Sequence, residues 1–291
     1  MDLLYRIIRK IRVKLFPFCY SVPAFNISPA QMLEKEPLFC HSGNAGDIIF
    51  SCVLLKAFWL HNGKKVRLHL RTDVPIEYIV DHPLKNIMMS KKIAAQLIPA
   101  LKMQPYISEV SVGTEFPEGA ANLDAFRSLP IDHRICLIQG WYQLYTDVWL
   151  NLFEPWIEGV KLAEYGSTIV VARSTRLRSS YINYKFLAEY AKDLLFVGLP
   201  EEIALFQEET GIHCRSLTVE SFDLLINIIH SCRLFIGNQG FAYSIAESVK
   251  SPRVLETNSI SPNNYPLSPN GRVAIFQEQF ESFVKTMLRR Q

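Results

Sequence analysis

Short apolar runs alternate with helical segments along most of this chain, and that alternation restricts the fold more than any other feature of the sequence. Residues 37–40 have the composition of an apolar strand, and residues 48–61 predict a helix with one apolar face. The dipeptide Asn62-Gly63 stops that helix, and residues 66–70 predict the next strand. Because strand–helix–strand crossovers are right-handed, these segments predict a parallel sheet with the connecting turn at its carboxyl edge.

A second series of the same kind follows in the other half of the chain. Residues 168–172, 194–197 and 234–236 predict strands, and helical segments lie between them. The sequence therefore predicts an α/β protein of the GT-B-like type, with two Rossmann-like doubly wound domains facing each other across a cleft. The expected units are a first domain over 36–160, a second over 166–275 and a final helix over 276–291.

The positive charge of the chain is concentrated at its beginning. The net charge is +3 over 291 residues, yet five cations stand against one acid within residues 1–14. Apolar residues recur there at helical spacing, so residues 1–19 predict a basic amphipathic helix. Such a helix binds anionic lipid, and we expect residues 1–18 to hold the protein on the inner face of the cell membrane. The alternative is a first helix packed on the protein with its charges in water.

The cysteines indicate the compartment. The six cysteines are scattered, with no Cys-x-x-Cys pair and no clustering with histidine. This distribution is not that of a disulfide framework or a structural zinc site, so the expected location is the cytoplasm.

The first turn carries a candidate catalytic acid. Ser42, Gly43 and Gly46 are small residues that let a ligand approach the backbone at a helix N-terminus, and Asp47 follows them directly. The turn matches neither Gly-x-Gly-x-x-Gly nor a Walker loop, and a carboxylate here would repel phosphate. Asp47 is therefore a candidate base that deprotonates a hydroxyl. The alternative is an ordinary capping residue of the helix.

A basic turn follows the first strand of the second series. It holds Arg173, Arg176 and Arg178, with Lys185 opening the next helical segment. Guanidinium groups pair bidentately with phosphate oxygens, so this turn suits a diphosphate. A solvated basic loop is the alternative.

The segment from residue 237 to residue 243 is a further strand–turn–helix connection. Asn238, Gln239, Gly240 and Tyr243 lie where the free N–H groups of a helix N-terminus can bind phosphate. Glu256, at the end of a later predicted strand, is expected to touch the base or ribose of the same ligand.

Several motifs are missing from the sequence. It contains no Asp-x-Asp pair, no Gly-x-Ser-x-Gly and no His-Glu-x-x-His. We therefore expect neither a metal nor another cofactor.

The first domain also holds candidates for binding the acceptor, the molecule whose hydroxyl Asp47 would deprotonate. These candidates are Arg127, His133 and Tyr142.

The turns and their order resemble glycosyltransferase family 9, the heptosyltransferase-like enzymes with the GT-B fold. The similar segments are Gly46-Asp47, Tyr184-Lys185-Phe186, residues 196–201 and residues 235–254. The resemblance implies metal-independent transfer of a sugar from a nucleotide-diphosphate donor to a lipopolysaccharide, O-antigen or capsule acceptor. It also implies that Asp47 is the catalytic base and that the second domain holds the donor. Where the family has Asp-Ser-Gly-x-x-His, this chain has residues 238–243, Asn-Gln-Gly-Phe-Ala-Tyr, which argues against a heptose donor.

The function that best accounts for these features is a single-displacement, inverting sugar transfer. Two other functions fit the same architecture: a sugar-nucleotide epimerase, and a catalytically inactive subunit that binds a glycan or a nucleotide.

Overall fold

The computed structural model describes residues 36–76, 86–128, 137–143 and 150–289. The predicted membrane-surface helix over 1–19 and the candidate His133 lie outside these residues.

The first half of the protein is built on a parallel sheet. Its order in the described part of the chain is β3-β2-β1-β4, and all three neighbouring pairs are parallel. The first helix, α1 (Ala45–Asn62), is followed by Gly63, whose φ of 66° is a left-handed conformation that glycine adopts readily. The elements are β1 (Leu38–His41), α1 (Ala45–Asn62), β2 (Val66–Arg71), α2 (Lys91–Lys102), β3 (Ile107–Gly113), β4 (Ala121–Asn122), a 3₁₀ helix (Ala125–Ser128) and α3 (Ile138–Gln143).

The second half carries a larger parallel sheet. Its order over the described residues is β10-β9-β8-β5-β6-β7, and every neighbouring pair is parallel. The elements are β5 (Ile169–Ala172), a 3₁₀ helix (Lys185–Tyr190), β6 (Leu194–Val197), α4 (Pro200–Thr210), β7 (Arg215–Leu217), α5 (Phe222–Ser231), β8 (Leu234–Asn238), α6 (Phe241–Ser248), β9 (Arg253–Glu256), β10 (Gly271–Ala274) and α7 (Gln277–Arg289).

Each sheet has a point at which the strand order reverses. In the first sheet this point lies between β1 and β4, and in the second it lies between β5 and β8. Counted in chain order, the second sheet has the doubly wound Rossmann arrangement 3-2-1-4-5-6. Ligands of such sheets bind in the crevice beyond the carboxyl ends of the strands at the reversal point, so the topology itself selects four turns as candidates.

The two halves share an apolar core cluster, in which buried residues of both sheets and their helices contact each other, and a second cluster lies within the second half alone. Trp156 joins the halves directly. Its indole Nε1 donates to the carbonyl of Ile49 in α1 at 3.0 Å, and its backbone N–H donates to the carbonyl of Ser248 at the end of α6 at 2.9 Å. Tyr106 holds it from a third side, since its hydroxyl donates to the Trp156 carbonyl at 2.6 Å.

Among the residues that the structure describes, no helix has both the length and the apolar character needed to cross a bilayer.

Candidate active site

A cavity of about 420 Å³ lies between the two sheets, beside three of the four turns that the topology selects, those after β1, β5 and β8. Its walls come from the start of α1, the turn after β5, the start of α4 and the first turn of α6. Polar groups line one part of it and apolar side chains line another, including Phe50, Leu199 and Phe222. An apolar pocket with a few convergent polar groups is the usual form of a small-molecule site.

Asp47 lies at this cavity in the first turn of α1. Its Oδ2 accepts the backbone N–H of Asn44 at 3.2 Å and Nη2 of Arg127 at 2.9 Å. The side chain keeps 18% of its surface exposed. Asp47 therefore combines the two roles that the sequence leaves open, because the same carboxylate caps the helix and borders the cavity.

Gly43 permits the tight turn that leads to Asp47. A Cβ atom at this position would lie 2.6 Å from Cε1 of His41 and 2.9 Å from both Nη2 of Arg127 and Cβ of Asp47. Gly46 is less restricted, since a Cβ there would lie 3.6 Å from Oγ of Ser244, an ordinary contact distance. Its surroundings show that α1 and the first turn of α6 touch beside the cavity.

Asp124 organises the side of this site away from the cavity. Its Oδ2 accepts the backbone N–H and the hydroxyl of Ser42 at 2.6 and 2.8 Å. Its Oδ1 lies 2.9 Å from Nδ1 of His41 and 3.3 Å from Nε of Arg127. Burial alone would raise the pKa of Asp124, but these partners outweigh burial and hold the pKa well below its ordinary value. The carboxylate thus stays charged and anchors Arg127, which in turn holds Asp47.

His41 and Tyr142 close this network from inside. Both side chains are fully buried, and Nε2 of His41 lies 2.9 Å from the hydroxyl of Tyr142. The structure thus brings Ser42, Gly43, Arg127 and Tyr142 together around Asp47. Sequence reasoning missed His41 and Asp124. The available indication was that His41 ends β1 and Asp124 follows the neighbouring strand β4, but β4 has only two residues and no recognisable pattern.

Arg173, in the basic turn after β5, borders the cavity, but its guanidinium is bound to acidic side chains of the protein. Arg173 is buried, and its guanidinium donates to Oε2 and Oε1 of Glu256 at 2.8 and 3.0 Å and to Oε2 of Glu209 at 3.2 Å. Glu256 has no exposed surface and also accepts the backbone N–H of Ser179 at 2.6 Å. Its carboxylate is occupied inside the protein, which differs from the expectation that it touches a base or ribose.

Arg176 and Lys185, two of the other predicted cations, occupy different surroundings. Arg176 lines the cavity, whereas Lys185 is exposed and does not line it. Asn238 fixes the turn that carries Arg176, because its amide donates to the carbonyls of Ser174 and Arg176 at 3.1 and 2.7 Å and accepts the N–H of Ser174 at 2.9 Å.

The first turn of α6 is the part of the cavity best suited to an anion. Gly240 occupies its N-cap position, and the turn contains no acidic residue. By contrast, α1 carries Asp47 and α4 carries Glu201 and Glu202 in their first turns. Free N–H groups and an uncompensated helix dipole favour a negative ligand at α6. Gln239 and Tyr243, which flank this turn, are buried and line the same cavity.

Within the described ranges, no three His, Cys, Asp or Glu side chains form a group that could hold a metal ion.

Comparison with solved structures identifies proteins of the same fold. A glycosyl transferase of family 9 from Veillonella parvula superposes with a TM-score of 0.62 at 12% identity, covering 90% of this chain and 99% of the other. The E. coli ADP-heptose lipopolysaccharide heptosyltransferase II gives 0.55 at 13% identity, covering 88% and 99%. The dodecameric iron-containing heptosyltransferase TibC, solved in complex with ADP-D-β-D-heptose, gives 0.50 at 13% identity, covering 82% and 62%.

These similarities confirm the predicted architecture of two Rossmann-like halves with a cleft between them, and the resemblance to family 9 at the level of the fold. No protein-family model and no curated protein sequence matches the chain.

Proposed function

We propose that this protein is a glycosyltransferase that moves a sugar from a nucleotide-diphosphate donor to a bacterial surface-glycan acceptor. One observation carries the proposal: the cavity is bordered by the Asp47 carboxylate on one side and by the acid-free N-terminus of α6 on the other. A carboxylate accepts a proton, and a helix N-terminus stabilises an anion. Sugar transfer from a diphosphate donor needs both at once.

On the acceptor side, Asp47 takes the proton of the attacking hydroxyl as its oxygen bonds to the anomeric carbon. Arg127 holds the carboxylate in place at 2.9 Å, and Asp124 holds Arg127. The bond between the anomeric carbon and the diphosphate oxygen breaks, and its electron pair leaves with the diphosphate. Displacement from the opposite face inverts the anomeric centre.

On the donor side, the N–H groups of the first turn of α6 and the side chain of Arg176 receive the diphosphate. Asn238 is a positioning residue in this scheme, because it fixes the turn that carries Arg176. Arg173 and Glu256 stabilise the base of the same turn from inside the protein. These groups supply the charge stabilisation without a metal ion, although TibC is described as iron-containing.

Nucleotide binding provides the test of this assignment. We expect a nucleoside diphosphate to raise the melting temperature, since a ligand at 100 times its Kd stabilises the native state by about 2.7 kcal/mol. The shift should persist in EDTA and should shrink in Arg176→Ala, while Lys185→Ala, which removes a cation outside the cavity, should leave it unchanged. A panel of ADP, UDP, GDP and CDP without any shift would exclude a nucleotide donor.

We also propose that residues 1–18 place the protein on the anionic inner face of the membrane. Deleting these residues should abolish sedimentation with vesicles that contain phosphatidylglycerol while leaving nucleotide binding intact. High salt should release the full chain only partly, because salt screens the cationic share of binding and not the apolar share. Unchanged sedimentation of the shortened chain would contradict this placement.

A further inference from the structure

A cluster of amide side chains at the cavity has acceptor atoms that the fold leaves without donors. Gln239 and Asn264 line the cavity and are 2% and 8% exposed. Among the described residues, neither Oε1 of Gln239 nor Oδ1 of Asn264 has a hydrogen-bond partner. Buried carbonyl oxygens are normally paired, so two unpaired amide oxygens on residues that line the same cavity call for an explanation.

The hydrogen bonds that the amide nitrogens donate determine which amide atoms have no partner. Nε2 of Gln239 donates to the carbonyl of Ser261 at 2.6 Å and to Oδ1 of Asn263 at 2.9 Å. Nδ2 of Asn264 donates to the same Oδ1 of Asn263 at 3.1 Å. Rotating the Gln239 amide by half a turn would place its oxygen against two other oxygens, so this orientation is the stable one. Both N–H bonds of Gln239 are used, and the amide can only accept.

The loop that carries this cluster is held from both halves of the protein. The backbone N–H of Ile138 in α3 donates to the carbonyl of Asn263 at 3.0 Å, and Nε2 of Gln139 donates to the carbonyl of Tyr265 at 3.3 Å. The amide oxygens are therefore fixed in position before any ligand binds. A rigid acceptor pair recognises a donor group with little loss of conformational freedom.

We propose that Gln239 and Asn264 form a hydroxyl-recognising subsite for the sugar that the donor carries. This inference rests on the proposed function. Gln239 directly precedes Gly240, so the subsite adjoins the helix terminus assigned to the diphosphate, and the group attached to that diphosphate is the sugar. Sugar hydroxyls donate hydrogen bonds to the two oxygens, while a carboxylate or phosphate oxygen at the same place would be repelled. The substrate class is thus a sugar that presents free hydroxyls, and no negative charge, to this wall.

The experiment compares a nucleotide with its sugar conjugate in the same protein. Calorimetry would measure the affinity for ADP and ADP-glucose, UDP and UDP-glucose, and GDP and GDP-mannose, in the wild type and in Asn264→Ala and Gln239→Leu. For a pair that binds, we expect the affinity of the conjugate to fall about tenfold in each variant, the scale of one hydrogen bond, with the affinity of the free nucleotide unchanged. Gln239→Leu also removes two hydrogen bonds to the loop and could therefore displace it. Asn264→Ala leaves those two bonds in place, so a loss seen in both variants does not come from displacement of the loop by the Gln239 substitution.

Gln104→Leu is the matched control. Gln104 is a buried amide of the first half that does not line the cavity, and its Nε2 donates to the carbonyls of Ala100 and Glu158 at 2.9 and 3.2 Å. Its replacement should leave the ratio of the two affinities at the wild-type value.

The outcomes separate this inference from the function on which it rests. The subsite is overturned if the wild type binds a nucleotide and both variants keep the wild-type ratio of conjugate affinity to nucleotide affinity. It is also overturned if both affinities fall equally. In either case the proposed glycosyltransferase function stands. A wild type that binds a nucleotide but gains nothing from the sugar also overturns the subsite. A wild type that binds no nucleotide overturns both.

Discussion

Asp47→Asn is expected to lower turnover by about 10²–10⁴, the usual contribution of a general base. The amide cannot take the proton of the acceptor hydroxyl. Its oxygen can still accept the N–H of Asn44 and the guanidinium of Arg127, which both contact the same carboxylate oxygen in the wild type. The fold and the nucleotide affinity should therefore change little. Turnover, melting temperature and nucleotide affinity measured on one purified variant test all three statements.

Glu201→Gln is the control for the charge of a first-turn acid. Glu201 lies in the first turn of α4 and its side chain is exposed outside the cavity, so the substitution removes a comparable helix-dipole interaction without touching the site. We expect near-normal turnover for it. If Asp47→Asn also kept near-normal turnover, Asp47 would be a capping residue only, and the epimerase and the inactive binding subunit would become the better hypotheses.

Arg173→Met is expected to destabilise the protein by about 3–5 kcal/mol, because it leaves a buried carboxylate without its partner. Arg173 and Glu256 have 6% and 0% of their side-chain surfaces exposed. Each kcal/mol corresponds to about 2–4 °C in melting temperature for a domain of this size, so thermal unfolding can measure the loss. The double variant Arg173→Met/Glu256→Gln should recover part of it, since the amide oxygen still accepts the N–H of Ser179.

Arg178→Met tests whether burial causes the effect. Arg178 pairs with Glu209, whose side chain is 37% exposed, and an exposed pair contributes about 0–1 kcal/mol. If Arg173 instead bound the diphosphate directly, as the sequence predicted, its replacement would leave the melting temperature near the wild-type value. The free energy of nucleotide binding would then become less favourable by about 1.5–3 kcal/mol, the contribution of a hydrogen bond to a charged group.

The sequence predicted those parts of the fold that depend on local patterns. The helix stop at Asn62-Gly63 and the strand–turn–helix connections around Asp47 and Gly240 follow from residue type and spacing, and the structure places them accordingly. The alternation of strands and helices was enough for the architecture. The domain boundaries and the roles of the site residues stay predictions.

Contacts between distant segments were not accessible in the same way. Arg173 follows β5 and Glu256 ends β9, two strands that are separated by β8 in the sheet, and the two residues are 83 positions apart in the chain. A basic residue after a strand has the same local pattern whether it binds a ligand or a buried acid. The partners of Asp124 were hidden for a similar reason, because they depend on the pairing of a two-residue strand with β1. Lys185 is the opposite case. It is close in sequence to the turn after β5, but its side chain lies outside the cavity.

The position of Trp156 determines how far the two halves can be treated as interchangeable parts. A half that had a hydrophobic core of its own could in principle be exchanged for that of a relative. Here the indole of Trp156 bonds to α1 and its backbone to α6, and apolar side chains from both sheets form a continuous core around it. A chimera that joins one half to the half of another protein would have to reproduce these Trp156 hydrogen bonds and the shared apolar core as well as the linker. Under the proposed hydroxyl-recognising subsite, the smaller unit to exchange is the loop at the cavity, residues 261–265, rather than a whole domain.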